Sequence, residues 1–196
     1  MENQNLILRD NTANPAPLGL TGFALTTILL NLHNAGYFAL GSTILAMGIT
    51  IGGIAQVIVG IMEWKKNNTF GTTAFAAYGF FWLSLVFVII LPKMGYGSAA
   101  DKNEMASYLA VWGIFTIFLF IGTFRISVAL QLLFGTLALL FFLLAIGDAT
   151  ESTVLKTFAG YEGIICGLIA LYSAMGQVLN EMFGKTVMPL GIVKKK

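Results

Sequence analysis

Six long apolar segments, separated by short polar stretches, dominate the hydropathy pattern of this chain. They cover residues 17–35, 38–62, 72–91, 105–123, 126–147 and 157–179. Each is close to the roughly 20 residues that an α-helix needs to cross the hydrocarbon core of a bilayer. The longest connection, residues 92–104, is too short to hold a second folded unit. The pattern predicts an all-α integral membrane protein, with one domain of six transmembrane helices over residues 1–196.

The composition supports a membrane protein and excludes several kinds of site. Of the 196 residues, 57% are hydrophobic and 10% are charged, whereas soluble domains contain about 25% charged residues. The first eighteen residues lack the basic region and cleavage site of a signal peptide, so we expect the first helix to be retained. With one cysteine, Cys166, and one histidine, His33, neither an internal disulfide nor a metal site is expected. We expect His33 to be a hydrogen-bonded structural residue near a helix end.

Lysine and arginine placement predicts the orientation of the chain. Six crossings put both termini on one side, which then holds eight of the eleven basic residues: Arg9, Lys65, Lys66, Arg125, Lys185 and Lys194 to Lys196. Cytoplasmic loops carry the excess of positive charge, so both termini are predicted to lie in the cytoplasm. The protein itself is predicted to span the inner membrane. Residues 1–16 and 182–196 are then predicted to be cytoplasmic tails, the second of them basic.

Polar residues recur on one face of the first predicted helix. Phe23, Thr27, Asn31 and Asn34 follow one another at spacings of four, four and three, with Thr26 beside them. The second segment repeats the pattern at Gln56, Gly60 and Glu63. Such side chains need partners in hydrocarbon, which are either neighbouring helices or a watery path. Five polar residues are therefore candidates for lining a substrate path: Thr26, Thr27, Asn31, Asn34 and Gln56.

The stretch from Asn14 to Phe23 marks the start of the first helix. Pro17 suits a first helical turn, and Gly19 and Gly22 leave a strip without side chains. A helix start has a positive dipole end and free N–H groups that favour a small anion. Two interpretations are open here, an anion-receiving site that includes Asn14 or a capped helix start without a ligand.

The absence of deep charges limits the chemistry. No Asp, Glu, Lys or Arg lies in the middle third of a predicted helix, and the acids near helix ends are expected to contact interfacial water. A nucleotide-binding loop, a nucleophile–base pair and paired catalytic carboxylates are all missing from the sequence. We therefore expect neither an enzyme nor a cofactor nor a nucleic-acid partner. A small neutral solute, or a weak acid that crosses with its proton, suits this composition.

A short internal similarity predicts a repeat. FAAYG at residues 75–79 resembles FAGY at residues 158–161, and three helices separate the two copies. An odd number of crossings inverts the second half, so the similarity favours a 3+3 inverted repeat, an arrangement common in transporters.

Several motifs resemble those of the acetate uptake transporter family, and more closely those of the bacterial succinate-acetate permeases. They are NPAPLGL at residues 14–20, TTILLNLHNAG at 26–36, GGIAQ at 52–56, NTFG at 68–71 and VLNE at 178–181. The resemblance spans nearly all of the chain. It implies a six-helix protomer in a homo-oligomer, a hexamer, with one pathway through each protomer.

The resemblance also implies a function and a constriction. The expected solutes are acetate, succinate and other short monocarboxylates, carried either by proton symport or through an anion channel. In the family a hydrophobic constriction is formed by an aromatic residue of the first helix, a tyrosine of the third and a leucine of the fifth. These positions match Phe23, Tyr78 and Leu137 here. Two alternatives are a passive channel for urea, ammonia or water, and a membrane sensor without transport.

Overall fold

The computed structural model describes residues 12–193 and contains six long helices within that range. They are α1 (Ala16–Asn34), α2 (Ser42–Lys65), α3 (Thr69–Ile90), α4 (Lys102–Thr123), α5 (Val128–Ala149) and α6 (Thr153–Phe183). Each is long and apolar enough to cross a membrane, which confirms the predicted all-helical, six-helix organisation. Four basic residues used to predict the orientation, Arg9 and Lys194 to Lys196, lie outside the described residues.

Polar caps place the starts of four helices. The side chains of Asn68, Asp101, Ser127 and Ser152 accept hydrogen bonds from the first-turn N–H groups of α3, α4, α5 and α6. Two backbone N–H donors, from residues 103 and 104, hold the pKa of the Asp101 carboxyl below its usual value. Helices α4 and α6 therefore begin three and four residues before the predicted apolar segments, because the caps lie in the polar flanks.

Consecutive helices pack side by side, and the last packs against the first. Contacts join α1 to α2, α2 to α3, α4 to α5, α5 to α6 and α6 to α1. Between α3 and α4 the backbones are farther apart, and aromatic rings fill the gap, with Phe81 and Trp112 centred 5.2 Å apart and Phe81 stacked on Tyr108 at 5.9 Å. The six helices thus form a closed ring.

Glycines bring the backbones of the first three helices close together. The central part of α2, Gly48–Ala55, is a π-helix. A Cβ atom on Gly22 of α1 would overlap the carbonyl oxygen of Ile51, and one on Gly79 of α3 would lie 2.8 Å from the carbonyl oxygen of Gly53. Any side chain at these two positions would force the helices apart.

The segment after α6 folds back along the same end of the ring. Gly184 ends the helix in the left-handed conformation. The N–H groups of Val128 and Ala129 then donate to the carbonyl oxygens of Gly191 and Leu190, at 2.9 and 3.1 Å. Residues 184–193 therefore supply acceptors for the exposed start of α5 instead of extending away as a simple tail.

Two glutamates contradict the expectation that acids near helix ends contact interfacial water. Glu63 is 2% exposed and Glu162 is 9% exposed. Because α6 begins at Thr153, Glu162 is its tenth residue and lies about 14 Å along the helix. Both of its carboxylate oxygens are buried without a hydrogen-bond partner among residues 12–193. The predicted helix began with the apolar run at residue 157, so Glu162 was expected near the helix end.

We expect Gly22→Ala to lower the stability of the folded protein. The added methyl group meets the Ile51 carbonyl oxygen, which belongs to backbone and cannot rotate away, and such overpacking costs about 1–3 kcal/mol. Thermal unfolding of the detergent-purified protein measures the effect. Gly135→Ala is the matched control, since its nearest neighbour is the Phe120 ring at 3.3 Å. Equal melting temperatures for Gly22→Ala and the wild type would contradict the close approach.

Candidate functional site

Two cavities enter the helix ring from its opposite ends. The larger, about 680 Å³, opens where the amino end of α1 and the segment 184–193 lie, and we call it the termini-side cavity. The smaller, about 310 Å³, is lined by the end of α1, by α3 and by the ends of α4 to α6 on the other side, and we call it the opposite cavity. Phe23 and Leu137 line both cavities. The two cavities therefore meet at these side chains.

Phe23, Tyr78 and Leu137 all line the termini-side cavity where it meets the opposite one, and we call these three side chains the neck. They come from α1, α3 and α5, and their side chains are 5%, 3% and 3% exposed. The rings of Phe23 and Tyr78 are centred 6.0 Å apart in an edge-to-face arrangement. The structure thus brings together the three residues that the resemblance predicted for a constriction.

The Tyr78 hydroxyl points to α4. Its oxygen lies 2.8 Å from Thr116 Oγ1, and Thr116 Oγ1 lies 2.7 Å from the carbonyl oxygen of Trp112. Because a carbonyl only accepts, the Thr116 hydroxyl donates to Trp112, and the Tyr78 hydroxyl therefore donates to Thr116. In this arrangement Tyr78 has no proton to offer to an anion in the neck.

The predicted anion site at the start of α1 lacks free backbone donors. Pro15 and Pro17 have no N–H group, the Ala16 N–H donates to Asn14 Oδ1 at 3.1 Å, and the Leu18 N–H donates to the Pro15 carbonyl at 3.1 Å. Because the prolines and the Asn14 side chain remove the donors, these hydrogen bonds are those of a capped helix start, the second of the two interpretations. Asn14 itself lines the termini-side cavity.

Polar side chains are concentrated in the wall of the termini-side cavity. Asn14 Nδ2 donates to Gln177 Oε1 at 2.9 Å. Gln56, which is 1% exposed, also lines this cavity and donates from Nε2 to the Gly52 carbonyl at 2.7 Å. Two charged residues that were not among the predicted site residues, Glu63 and Arg125, line it as well. Glu63 belongs to the polar line of the second segment, seven residues after Gln56, whereas no pattern in the sequence placed Arg125 here.

The wall of the opposite cavity contains most of the polar stripe on α1. Thr27, Asn31 and Asn34 line it, together with His33. Asn34 Nδ2 donates to Asn31 Oδ1 at 3.0 Å, and Asn31 Nδ2 donates to the Thr27 carbonyl at 2.9 Å. The Thr27 hydroxyl is buried without a hydrogen-bond partner among residues 12–193. It is therefore an unsatisfied polar group in the wall of the opposite cavity, four residues from Phe23.

Two polar residues singled out in the sequence, Thr26 and His33, form hydrogen bonds to backbone carbonyl groups. Thr26 lines neither cavity; its hydroxyl donates to the Gly22 carbonyl at 2.8 Å, and its side chain fills the space left by Gly52. The interpretation of Thr26 as a substrate-path residue is corrected to a packing role between α1 and α2. His33 Nδ1 donates to the Phe38 carbonyl at 2.9 Å, the structural hydrogen bond expected for it.

Ion pairs lie at the mouth of the opposite cavity. Asp148 and Lys156, which both line it, form an ion pair at 2.5 Å. In the adjoining loops Lys102 pairs with Glu151 at 2.7 Å, and this hydrogen bond lowers the pKa of the Glu151 carboxyl. Among residues 12–193 no cluster of His, Cys, Asp or Glu could hold a metal ion. The site thus consists of two largely apolar cavities with a few polar and charged groups in their walls, which meet at Phe23 and Leu137.

A family model described as GPR1/FUN34/yaaH matches residues 3–191. The chain belongs to this family. The match extends over nearly the whole chain and confirms the assignment made from the sequence motifs.

Several relatives of this GPR1/FUN34/yaaH member have names that describe transport. It is 56% identical to the succinate-acetate/proton symporter SatP of Escherichia coli K12 over 179 residues, 91% of this chain and 95% of that protein. It is 33% identical to acetate permease A of Emericella nidulans, covering 91% of this chain and 65% of that protein. A solved structure described as the bacterial acetate channel SatP superimposes with a TM-score of 0.91 at 55% identity, covering 92% of this chain and all of that one.

We expect Thr116→Val to destabilise this family member more than Tyr78→Phe does. The first change leaves the buried Tyr78 hydroxyl without an acceptor, which costs about 1–3 kcal/mol. The second leaves the Thr116 hydroxyl still bonded to Trp112. Thermal unfolding of both variants and of the double variant tests the order, and the double variant should recover part of the loss. A larger loss for Tyr78→Phe would contradict the assigned direction of the hydrogen bond.

Proposed function

We propose that this chain transports acetate and succinate across the cytoplasmic membrane, by proton symport through the two cavities and the neck. The observation that carries this proposal is the meeting of both cavities at Phe23 and Leu137. The family and the printed functions of the relatives supply the substrate class. A transport protein, rather than an enzyme, is what these relatives and the cavities support.

The neck favours passage of a carboxyl group in its protonated form. An isolated carboxylate loses its hydration in such a place at a cost of several kcal/mol unless donors replace the water. The Tyr78 hydroxyl is occupied by Thr116, and no charged side chain of the described residues lines the neck. Protonation of the substrate carboxyl group removes its charge, and the substrate then carries a proton across with it. Transport is thereby coupled to protons although no acidic side chain lies in the neck.

Polar groups on both sides assist the transfer in this proposal. The free Thr27 hydroxyl lies at the neck end of the opposite cavity, followed by the Asn31 and Asn34 amides. Gln56 and then Asn14 lie on the other side. A solute would leave the amides of one cavity, cross the neck, and meet the amides of the other.

The proposal includes the orientation of the chain and its place in the membrane. Both termini are cytoplasmic and the protein is a multi-pass protein of the inner membrane, so the termini-side cavity opens to the cytoplasm. The charge distribution of the sequence supports this orientation, with residues 1–16 and 182–196 at the cytoplasmic face of a single transport domain.

Cysteine labelling tests the orientation in intact cells. Cys166 is the only cysteine and is fully buried, so an introduced thiol gives a clear signal. We expect Ala99→Cys to react with a membrane-impermeant maleimide added outside, and Lys185→Cys to react only after the membrane is opened. The reverse pattern would overturn the orientation.

A homo-hexamer and a 3+3 inverted repeat belong to the same proposal. Helix α4 presents apolar side chains away from the ring, with Phe118 70% and Val111 65% exposed, and such a face suits lipid or a neighbouring protomer. The repeat is supported by the sequence similarity between residues 75–79 and 158–161. In each half, the middle helix, α2 or α5, also packs against both of its neighbours.

Native mass spectrometry in detergent measures the number of protomers. A stable species with a number of protomers other than six would exclude the hexamer.

We expect Phe23→Ala to raise anion leakage through the neck. Loss of the ring admits water, and each 1.4 kcal/mol removed from the barrier raises the flux about tenfold. Carboxylate currents and labelled succinate uptake in proteoliposomes measure the change. The control is Phe80→Ala, which truncates an exposed ring on the same helix as Tyr78. Unchanged flux and selectivity in Phe23→Ala would contradict the neck, and swelling with urea but no carboxylate uptake in the wild type would favour a neutral-solute channel.

A further inference from the structure

Glu63 places a buried carboxyl group in the wall of the termini-side cavity. The residue is 2% exposed. Its Oε2 accepts a hydrogen bond from Asn68 Nδ2 at 2.7 Å, while Oε1 is buried with no hydrogen-bond partner among residues 12–193. One half of the carboxyl group is therefore fixed to the α2–α3 turn, and the other half is unsatisfied.

The groups around Glu63 leave its charge uncompensated. From α1, α3 and α6 the cavity wall offers the neutral amides of Asn14, Asn68, Gln177 and Asn180, and the phenol of Tyr78 lies at the neck. Arg125 lines the same cavity, and Lys65 and Lys66 follow on the same helix, with Lys66 donating to the Thr12 carbonyl. Within residues 12–193, no cation lies within ion-pair distance of the Glu63 carboxylate. A carboxylate in this position is costly.

A substrate carboxylate in this cavity would add a second negative charge. Two carboxylates that share one site do not both stay ionised; instead they hold one proton between them. Binding of the anion and binding of a proton are then linked, and each strengthens the other by the same factor.

We propose that Glu63 is a proton-binding site that pairs with the substrate carboxylate in the termini-side cavity. This inference rests on the proposed transport of carboxylates. Glu63 Oε1 takes up one proton, and the resulting O–H donates to an oxygen of the substrate carboxylate. An acid that arrives through the neck brings this proton with it. When the anion leaves to water, Glu63 releases the proton to water and returns to its ionised form.

Substitution by glutamine separates this role from a structural one. In Glu63→Gln the side-chain oxygen can still accept from Asn68 and the volume is nearly unchanged, but an amide neither takes up nor releases a proton. Glu162→Gln is the matched control, because Glu162 is also a buried carboxyl without a partner and lines neither cavity. Both variants remove one buried acid from a membrane helix.

The experiment measures exchange of labelled succinate in proteoliposomes of the full chain, with equal pH on both sides. The KM is determined at pH 5.5, 6.5 and 7.5 for the wild type and both variants. One linked proton changes the KM about tenfold per pH unit. We expect the slope of log KM against pH to be lower by about one unit in Glu63→Gln than in the wild type. Any slope that comes from protonation of succinate itself is common to all three proteins, and Glu162→Gln should match the wild type.

Parallel slopes for Glu63→Gln and the wild type would overturn the proposal. Loss of exchange in a folded Glu63→Gln protein would overturn it as well, since a neutral amide is expected to admit the anion. Should that variant fail to fold, proton uptake by the wild type on addition of succinate in weak buffer decides the matter: uptake supports the site and its absence excludes it. Failure of the proposed function is a different result, in which the wild type shows no succinate exchange.

Discussion

The close approach of α1, α2 and α3 through glycine determines where everything else in this structure lies. Gly22 and Gly79 leave no room for a side chain against the π-helical part of α2. The residues adjacent to these glycines on the same helices, Phe23 and Tyr78, lie side by side with ring centres 6.0 Å apart. The glycines beside these two residues thus allow the backbones of the first three helices to approach each other where the two cavities meet.

Polar groups are distributed so that charge stays away from this neck. The carboxyl group of Glu63 and the guanidinium group of Arg125 lie in the wide termini-side cavity, and the Asp148–Lys156 pair lies at the mouth of the opposite one. Near the neck the available groups are a hydroxyl, amides and aromatic rings. The charged groups therefore line the two cavities, and only apolar and neutral polar groups lie at the neck.

The sequence predicted the framework of the site better than its hydrogen bonds. Six helices followed from apolar runs, and Phe23 and Tyr78 followed from local motifs that resemble those of the family. Thr116 could not be paired with Tyr78, because 38 residues and a change of helix separate them and α4 has no distinctive pattern at that position. The start of α1 was predicted to hold free donors, although Pro15 and Pro17 remove two of them by their chemistry alone. Burial of Glu63 depends on the fold of the α2–α3 turn, which hydropathy does not report.

The pairing of residues 190–191 with the start of α5 has a consequence for biogenesis. Residues 190 and 191 follow α6 in the chain, so they are synthesised after all six helices. Until then the first N–H groups of α5 have no protein acceptor, and one wall of the termini-side cavity is incomplete. The three neck residues, on α1, α3 and α5, thus precede in synthesis the segment that completes the wall of the wider cavity beside them.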